Sequence, residues 1–249
     1  MHVSAGIATT LLVFPLVSPD RKRALVKRWS LRLLRILAVE ARLVGDIAGR
    51  GGNVLVVATH ISWLDIFVLN SVHPVRFVAK SELARWPVVG AMIRGAGTLF
   101  IERTKRRDTR RVNNHVATVL AGGDVVAIFP EGTTTDGLDL LPFKSSLLQP
   151  IVEAEGHVQP VAIRYRSPDG APSVAPAYVG DTSFAESFWQ VCGVRALTVE
   201  LIVTAAIPAR DGHRRHLARD AEVLIRMALA EPDGAKAPAA PAGHRGGHR

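Results

Sequence analysis

In the stretch NVLVVATHISWLDIF, residues 53–67, an apolar and largely β-branched run stops at His60, and Asp65 follows five residues later. An imidazole and a carboxylate can form a general base. The carboxylate accepts the hydrogen of one ring nitrogen, and the other nitrogen is left to take a proton. On a continuous helix, residues five apart point roughly 140° away from each other, so there the pair cannot meet. They can meet if His60 closes a strand and Asp65 lies in the first turn of the next helix. The run that ends at Thr59, with helical periodicity from Trp63 onward, fits that arrangement. A plainer reading uses the same residues. Ser62 and Asp65 form S-x-x-D, a capping-box pattern, in which Asp65 only starts a helix and His60 is a loop residue.

The elements that must position the pair follow from the hydrophobic pattern. Strands are expected at Val54–Thr59, Val75–Ala79, Thr98–Glu102, Val125–Phe129, Val158–Tyr165 and Leu197–Val203. Helices are expected near Trp63–Val72, Val88–Arg94, Thr109–Leu120, Ser145–Glu155, Phe184–Val191 and Arg214–Leu229. This alternation predicts a single α/β domain over residues 49–230, a mixed sheet flanked by helices, with its ligand site at the carboxyl ends of the strands. The Pro-, Ala- and Gly-rich stretch 231–249 reads as a disordered tail.

Residues 1–48 read as helices that associate with a membrane. Val3–Ser18 carries no charge and is slightly shorter than the ~20 residues that cross a bilayer upright. It lacks the basic start of a signal peptide. Arg21, Lys22, Arg23, Lys27 and Arg28 follow, then WSLRLLRILAVEARL, with Leu31, Leu34, Leu37 and Ala38 at helical spacing and Arg32, Arg35 and Arg42 between them. That composition predicts an interfacial helix on an anionic surface, with the basic side in the cytoplasm at the inner membrane. The alternative is a helix packed on the protein's own core with its arginines solvated.

Bulk composition narrows the function classes. The 249 residues are 48% hydrophobic, with a formal charge of +9 and a mean hydropathy of +0.18. A basic chain suits nucleic acid, anionic lipid or an anionic substrate. Aromatic residues are only 6%, and the basic cluster adjoins an uncharged apolar segment, which favours lipid over nucleic acid. The single cysteine, Cys192, sits in an apolar context and reads as a small core residue; one cysteine also forms no internal disulfide. The nine histidines show no metal-ligand spacing, so no metal site is expected. No G-x-S-x-G nucleophile elbow is present.

Three further stretches accompany the His–Asp pair: GTLFIER ending at Arg103, FPEGT at residues 129–133, and VQPVAIRY at 158–165. With THISWLD, in this order over Leu25 to Pro208, the chain resembles the PlsC-type glycerolipid acyltransferases, which include the 1-acylglycerol-3-phosphate acyltransferases. The resemblance implies a glycerol-3-phosphate acyltransferase-like fold. It also implies acyl transfer from acyl-CoA or acyl carrier protein to the free hydroxyl of lysophosphatidic acid, without a cofactor. By the same resemblance His60 is the base and Asp65 its orienting partner. Arg103 binds the acceptor phosphate, and Lys105 in the basic run after it is placed to meet the acceptor phosphate, the CoA phosphates or lipid headgroups. Glu131, Gly132 and Thr133 form an acceptor-side turn, with Glu131 positioning headgroup or loop and Gly132 admitting the acceptor close to the backbone. Thr134 stands where many relatives carry arginine, and Ala177–Trp189 also departs from the simplest members. Both features resemble a branch that acylates lyso-ornithine lipid, which keeps that acceptor as the alternative.

Overall fold

The computed structural model describes residues 2–47, 53–85, 89–95, 97–101, 106–194 and 196–231. The chain opens with helix α1 (His2–Ala8), a π-helical turn (Thr9–Val13), a 3-10 turn (Phe14–Leu16) and α2 (Pro19–Ile36). Next come strands β1 (Val39–Val44) and β2 (Val54–Ala58), α3 (Asp65–Val72), β3 (Arg76–Lys80), α4 (Val89–Gly95), β4 (Leu99–Ile101), α5 (Arg106–Ala121) and β5 (Val125–Ile128). The last elements are α6 (Gln149–Glu153), β6 (His157–Arg166), α7 (Phe184–Gly193), β7 (Leu197–Val203), β8 (Ile207–Pro208) and α8 (Arg214–Ala230).

The strands form one mixed sheet in the order β1-β7-β6-β2-β5-β3-β4, with β8 on β6. β2 lies near its middle, parallel to both β5 and β6. β7 runs antiparallel to β6 and parallel to β1. All five residues of β2 are buried, which explains its unbroken apolar run. Val54, Val56 and Ala58 pack with Leu64, Val68 and Leu69 from the α3 side, whereas Leu55 and Val57 pack with Val116, Leu120, Leu217 and Ala221 from α5 and α8. The residue that follows such a strand is therefore held between two cores and emerges at the carboxyl edge of the parallel strands.

The N-terminal segment departs from expectation. The helical pattern expected through Arg42 stops at Leu37, because Ala38 takes a φ of +53° and Val39–Val44 joins the sheet beside β7. The signal was present: Val39, Ala41 and Leu43 alternate with Glu40 and Arg42, a period of two. The apolar side of α2 does not face outward either. Leu34 is buried and the helix packs on α3, Trp29 lying 5.4 Å from Phe67 by ring centroid. α2 exposes a row of arginines, Arg21, Arg28, Arg32 and Arg35, and at its C-terminal end Ile36. Before it, Leu12 and Leu16 are 70% and 84% exposed. Among the described residues no helix is long and apolar enough to cross a membrane. Cys192, expected in the core, is exposed on α7. Of the expected tail, residues 232–249 lie outside the described residues.

Candidate active site

β2 ends at Ala58, and the chain turns through Thr59–Leu64 before α3 begins at Asp65. His60 Nδ1 lies 2.9 Å from Asp65 Oδ2. A carboxylate oxygen accepts, so Nδ1 carries the hydrogen, and in the neutral ring Nε2 is the nitrogen with the free lone pair. The same Oδ2 accepts the backbone N–H groups of Ile61 at 2.7 Å and Ser62 at 2.9 Å. The bond from Ser62 N–H is one half of a capping box. The other half is missing, because the Ser62 hydroxyl accepts from Leu64 N–H instead of Asp65 N–H. The two readings of the S-x-x-D pattern are thus joined in one carboxylate, which organises the turn and holds the imidazole.

The second oxygen of Asp65 accepts a 2.5 Å hydrogen bond from the Tyr165 hydroxyl. Tyr165 is 2% exposed. Burial first, and then the Asp65 charge, push its phenol well above the ordinary tyrosine pKa, so it remains a donor. Asp65 itself is fully buried, while the His60 side chain is 19% exposed. One face of the ring stacks on Phe129, 3.8 Å between centroids and 8° from parallel. The imidazole is therefore fixed in plane by a carboxylate and in tilt by an aromatic ring, with an edge open. Deleting the Tyr165 hydroxyl in Tyr165→Phe leaves Asp65 Oδ1 buried without its donor. It is expected to lower unfolding free energy by about 1–3 kcal/mol in urea titration, and an unchanged midpoint would contradict this wiring.

The backbone of His60 is clamped by the FPEGT turn. Its N–H donates to Glu131 Oε1 at 3.0 Å, and its carbonyl accepts from Thr135 N–H at 2.8 Å. Glu131 Oε2 accepts from Leu141 N–H at 3.0 Å. Glu131 is 2% exposed, and its two oxygens are engaged by the His60 and Leu141 N–H groups. Burial raises its pKa, against the Leu141 and His60 N–H groups, which lower it.

Gly132 has a φ of +77°, a conformation that L-residues with side chains rarely adopt. The space above it is taken by the Lys144 side chain. Thr133 is exposed on the same turn. The Thr134 hydroxyl donates to the Tyr178 carbonyl, and Tyr178 N–H donates to the Ile61 carbonyl at 2.9 Å. The hydroxyl at that position is thus used to tie the turn to the segment before α7. Arg103 and Lys105 lie outside the described residues. Among the described residues no group of three or more His, Cys, Asp and Glu side chains is arranged to hold a metal.

Of these features, the His60–Asp65 pair was readable from local spacing. Tyr165 was not, since it reaches Asp65 from a strand 100 residues away. Its only signal was a phenol between two arginines, Arg164 and Arg166, at the end of β6.

A family model described as Acyltransferase matches residues 40–164. The 1-acyl-sn-glycerol-3-phosphate acyltransferase of Neisseria gonorrhoeae is 38% identical over 180 residues, 72% of this chain and 70% of its own. The lyso-ornithine lipid O-acyltransferase of Pseudomonas aeruginosa is 37% identical over 213 residues, 86% of this chain and 81% of its own. The crystal structure of the 1-acyl-sn-glycerophosphate acyltransferase PlsC from Thermotoga maritima superposes with a TM-score of 0.63 at 20% identity, covering 91% of this chain and 89% of that one. That last likeness is one of fold.

Proposed function

The chain belongs to the acyltransferase family and is an acyltransferase; on that premise we propose that it moves an acyl group from acyl-CoA, or acyl carrier protein, to the free hydroxyl of lysophosphatidic acid. The observation that carries the mechanism is the 2.9 Å contact from His60 Nδ1 to a buried, multiply bonded Asp65. His60 Nε2 takes the proton of the acceptor hydroxyl as that oxygen attacks the thioester carbonyl. The resulting imidazolium stays beside the Asp65 carboxylate. The carbon–sulfur bond then breaks, and the departing thiolate takes the proton back from Nε2. No acyl-enzyme forms and no cofactor beyond the acyl donor takes part. Positioned base catalysis contributes roughly 10²–10⁴-fold, and alignment of the two substrates supplies the remainder.

Arg103 and Lys105 are proposed to receive the acceptor's phosphate, a role suited to a guanidinium fork. Lyso-ornithine lipid is the second reading. It is favoured by Thr134, whose hydroxyl is committed to Tyr178 where a phosphate-binding guanidinium would otherwise stand. The test is an acceptor panel: purified protein, one acyl-CoA, both lysolipids, and mass detection of the product. The proposal predicts lysolipid-dependent release of free thiol with phosphatidic acid as the main product. Thiol release that ignores the lysolipid would indicate hydrolysis instead.

A membrane surface is the proposed setting, on the cytoplasmic side of the inner membrane. Because the apolar side of α2 is committed to the core, the contact is assigned to the exposed arginine row and the exposed leucines of the first turns. At about 1 kcal/mol per basic residue near an anionic surface, replacing Arg28, Arg32 and Arg35 together by glutamine is expected to weaken binding to anionic vesicles on the order of 100-fold. Flotation that does not respond to this change would remove α2 from the membrane contact.

A further inference from the structure

A cation with no assigned role, Lys144, lies over the FPEGT turn. A Cβ added to Gly132 would collide with Nζ of Lys144 and come within 3.2 Å of its Cδ and Cε, so the lysine lies lengthwise across the glycine. Among the described residues no carboxylate pairs with its ammonium, and the residue is exposed. Its backbone, in contrast, is fixed. Lys144 N–H donates to the Pro130 carbonyl at 3.0 Å. The N–H of Phe143 donates to Glu222 Oε2 on α8 at 3.1 Å. Three residues earlier, Leu141 N–H donates to Glu131, the same carboxylate that holds the His60 N–H. Imidazole and ammonium are therefore mounted on one hydrogen-bonded unit.

From this placement we infer that Lys144 is an acceptor-recognition residue, its ammonium receiving an anionic group of the lysolipid headgroup while His60 takes the hydroxyl proton. The inference rests on the proposed lysolipid reaction and adds a residue to it. Gly132 gains a reason as well: a side chain there would evict the ammonium. An ammonium suits a phosphomonoester or a carboxylate as a point charge, without the bidentate geometry of arginine. This fits a chain whose hydroxyl at residue 134 is tied to the backbone. The same charge chemistry could come from the phosphates of the acyl donor, and the two sources are separable by kinetics.

The test measures Lys144→Gln and Lys144→Arg against wild type, varying lysophosphatidic acid and acyl-CoA separately. A hydrogen bond to a charged group predicts a rise in the KM for lysophosphatidic acid of roughly 10- to 100-fold in Lys144→Gln, with kcat close to wild type. The KM for acyl-CoA stays put, and Lys144→Arg recovers most of the loss. A KM rise confined to acyl-CoA, or no change in either, would overturn the assignment. Calorimetric titration of short-chain lysophosphatidic acid into His60→Ala protein, with and without Lys144→Gln, reads binding apart from turnover. Weaker binding in the double variant is expected, and equal binding again overturns the assignment. Wild-type protein that acylates no lysolipid at all would instead defeat the proposed reaction, a different outcome from a functioning enzyme indifferent to Lys144.

Discussion

His60→Ala protein is expected to be folded and to have lost acyl transfer, with kcat down by roughly 10²–10⁴-fold, the range that a positioned general base contributes. The side chain is partly exposed at 19%, and its departure leaves the backbone bonds to Glu131 and Thr135 in place. What is lost inside the protein is the stacking on Phe129 and one hydrogen bond to Asp65, whose Oδ2 retains the Ile61 and Ser62 N–H donors. Thermal unfolding should therefore stay close to wild type while product mass disappears. Retention of more than a tenth of wild-type kcat would leave the imidazole without a role in proton transfer.

The second large effect separates two roles of one carboxylate. Asp65→Ala removes the acceptor for Ile61 N–H, Ser62 N–H and the Tyr165 hydroxyl together, each in a buried setting. At about 1–3 kcal/mol per stranded group, that is a large part of a marginal folding free energy, and loss of soluble folded protein is the expected outcome. Asp65→Asn can keep the wiring. Its carbonyl oxygen faces the two N–H groups and the imidazole, and its amide faces the Tyr165 oxygen, which accepts in place of donating. The fold then survives, but a neutral amide no longer stabilises an imidazolium. We expect Asp65→Asn to unfold at a temperature near that of wild type and to lose on the order of 10²–10⁴ in kcat. A folded Asp65→Asn protein with near-normal turnover would reduce Asp65 to a helix-start residue.

The contrast between these variants also shows which parts of the molecule could be read from local sequence. An apolar run without alternation means a strand covered on both faces, and β2 has that environment. A histidine and an aspartate five apart could meet only across a strand-to-helix turn, and the chain breaks there. Residues 39–44 were harder, because leucines at helical spacing run up to Leu37 and mask the shift to period two in VEARLV. A single left-handed residue, Ala38, separates the two regimes. The face presented by α2 depends on what packs beside it, and α3 covers the side that an isolated helix would offer to lipid. Contacts between residues far apart in the chain left no local trace. Tyr165 on Asp65 and Glu131 on the His60 N–H depend on the order of strands in the sheet, which no short window encodes, and Lys144 over Gly132 depends on how the connection after β5 folds back.

The central claim concerns one hydrogen: Asp65 holds it on Nδ1 of His60, and Nε2 is left bare to receive the acceptor's proton. Nitrogen-15 spectra of histidine-labelled protein above the imidazole pKa report this directly, with His60→Ala identifying the resonances. The account predicts a protonated Nδ1 and an unprotonated Nε2 for His60 in the wild type, and the same tautomer in Asp65→Asn, whose carbonyl oxygen still accepts from Nδ1. A wild-type signal with the hydrogen on Nε2 would contradict it, because the nitrogen facing the substrate would then be a donor with no capacity to act as a base.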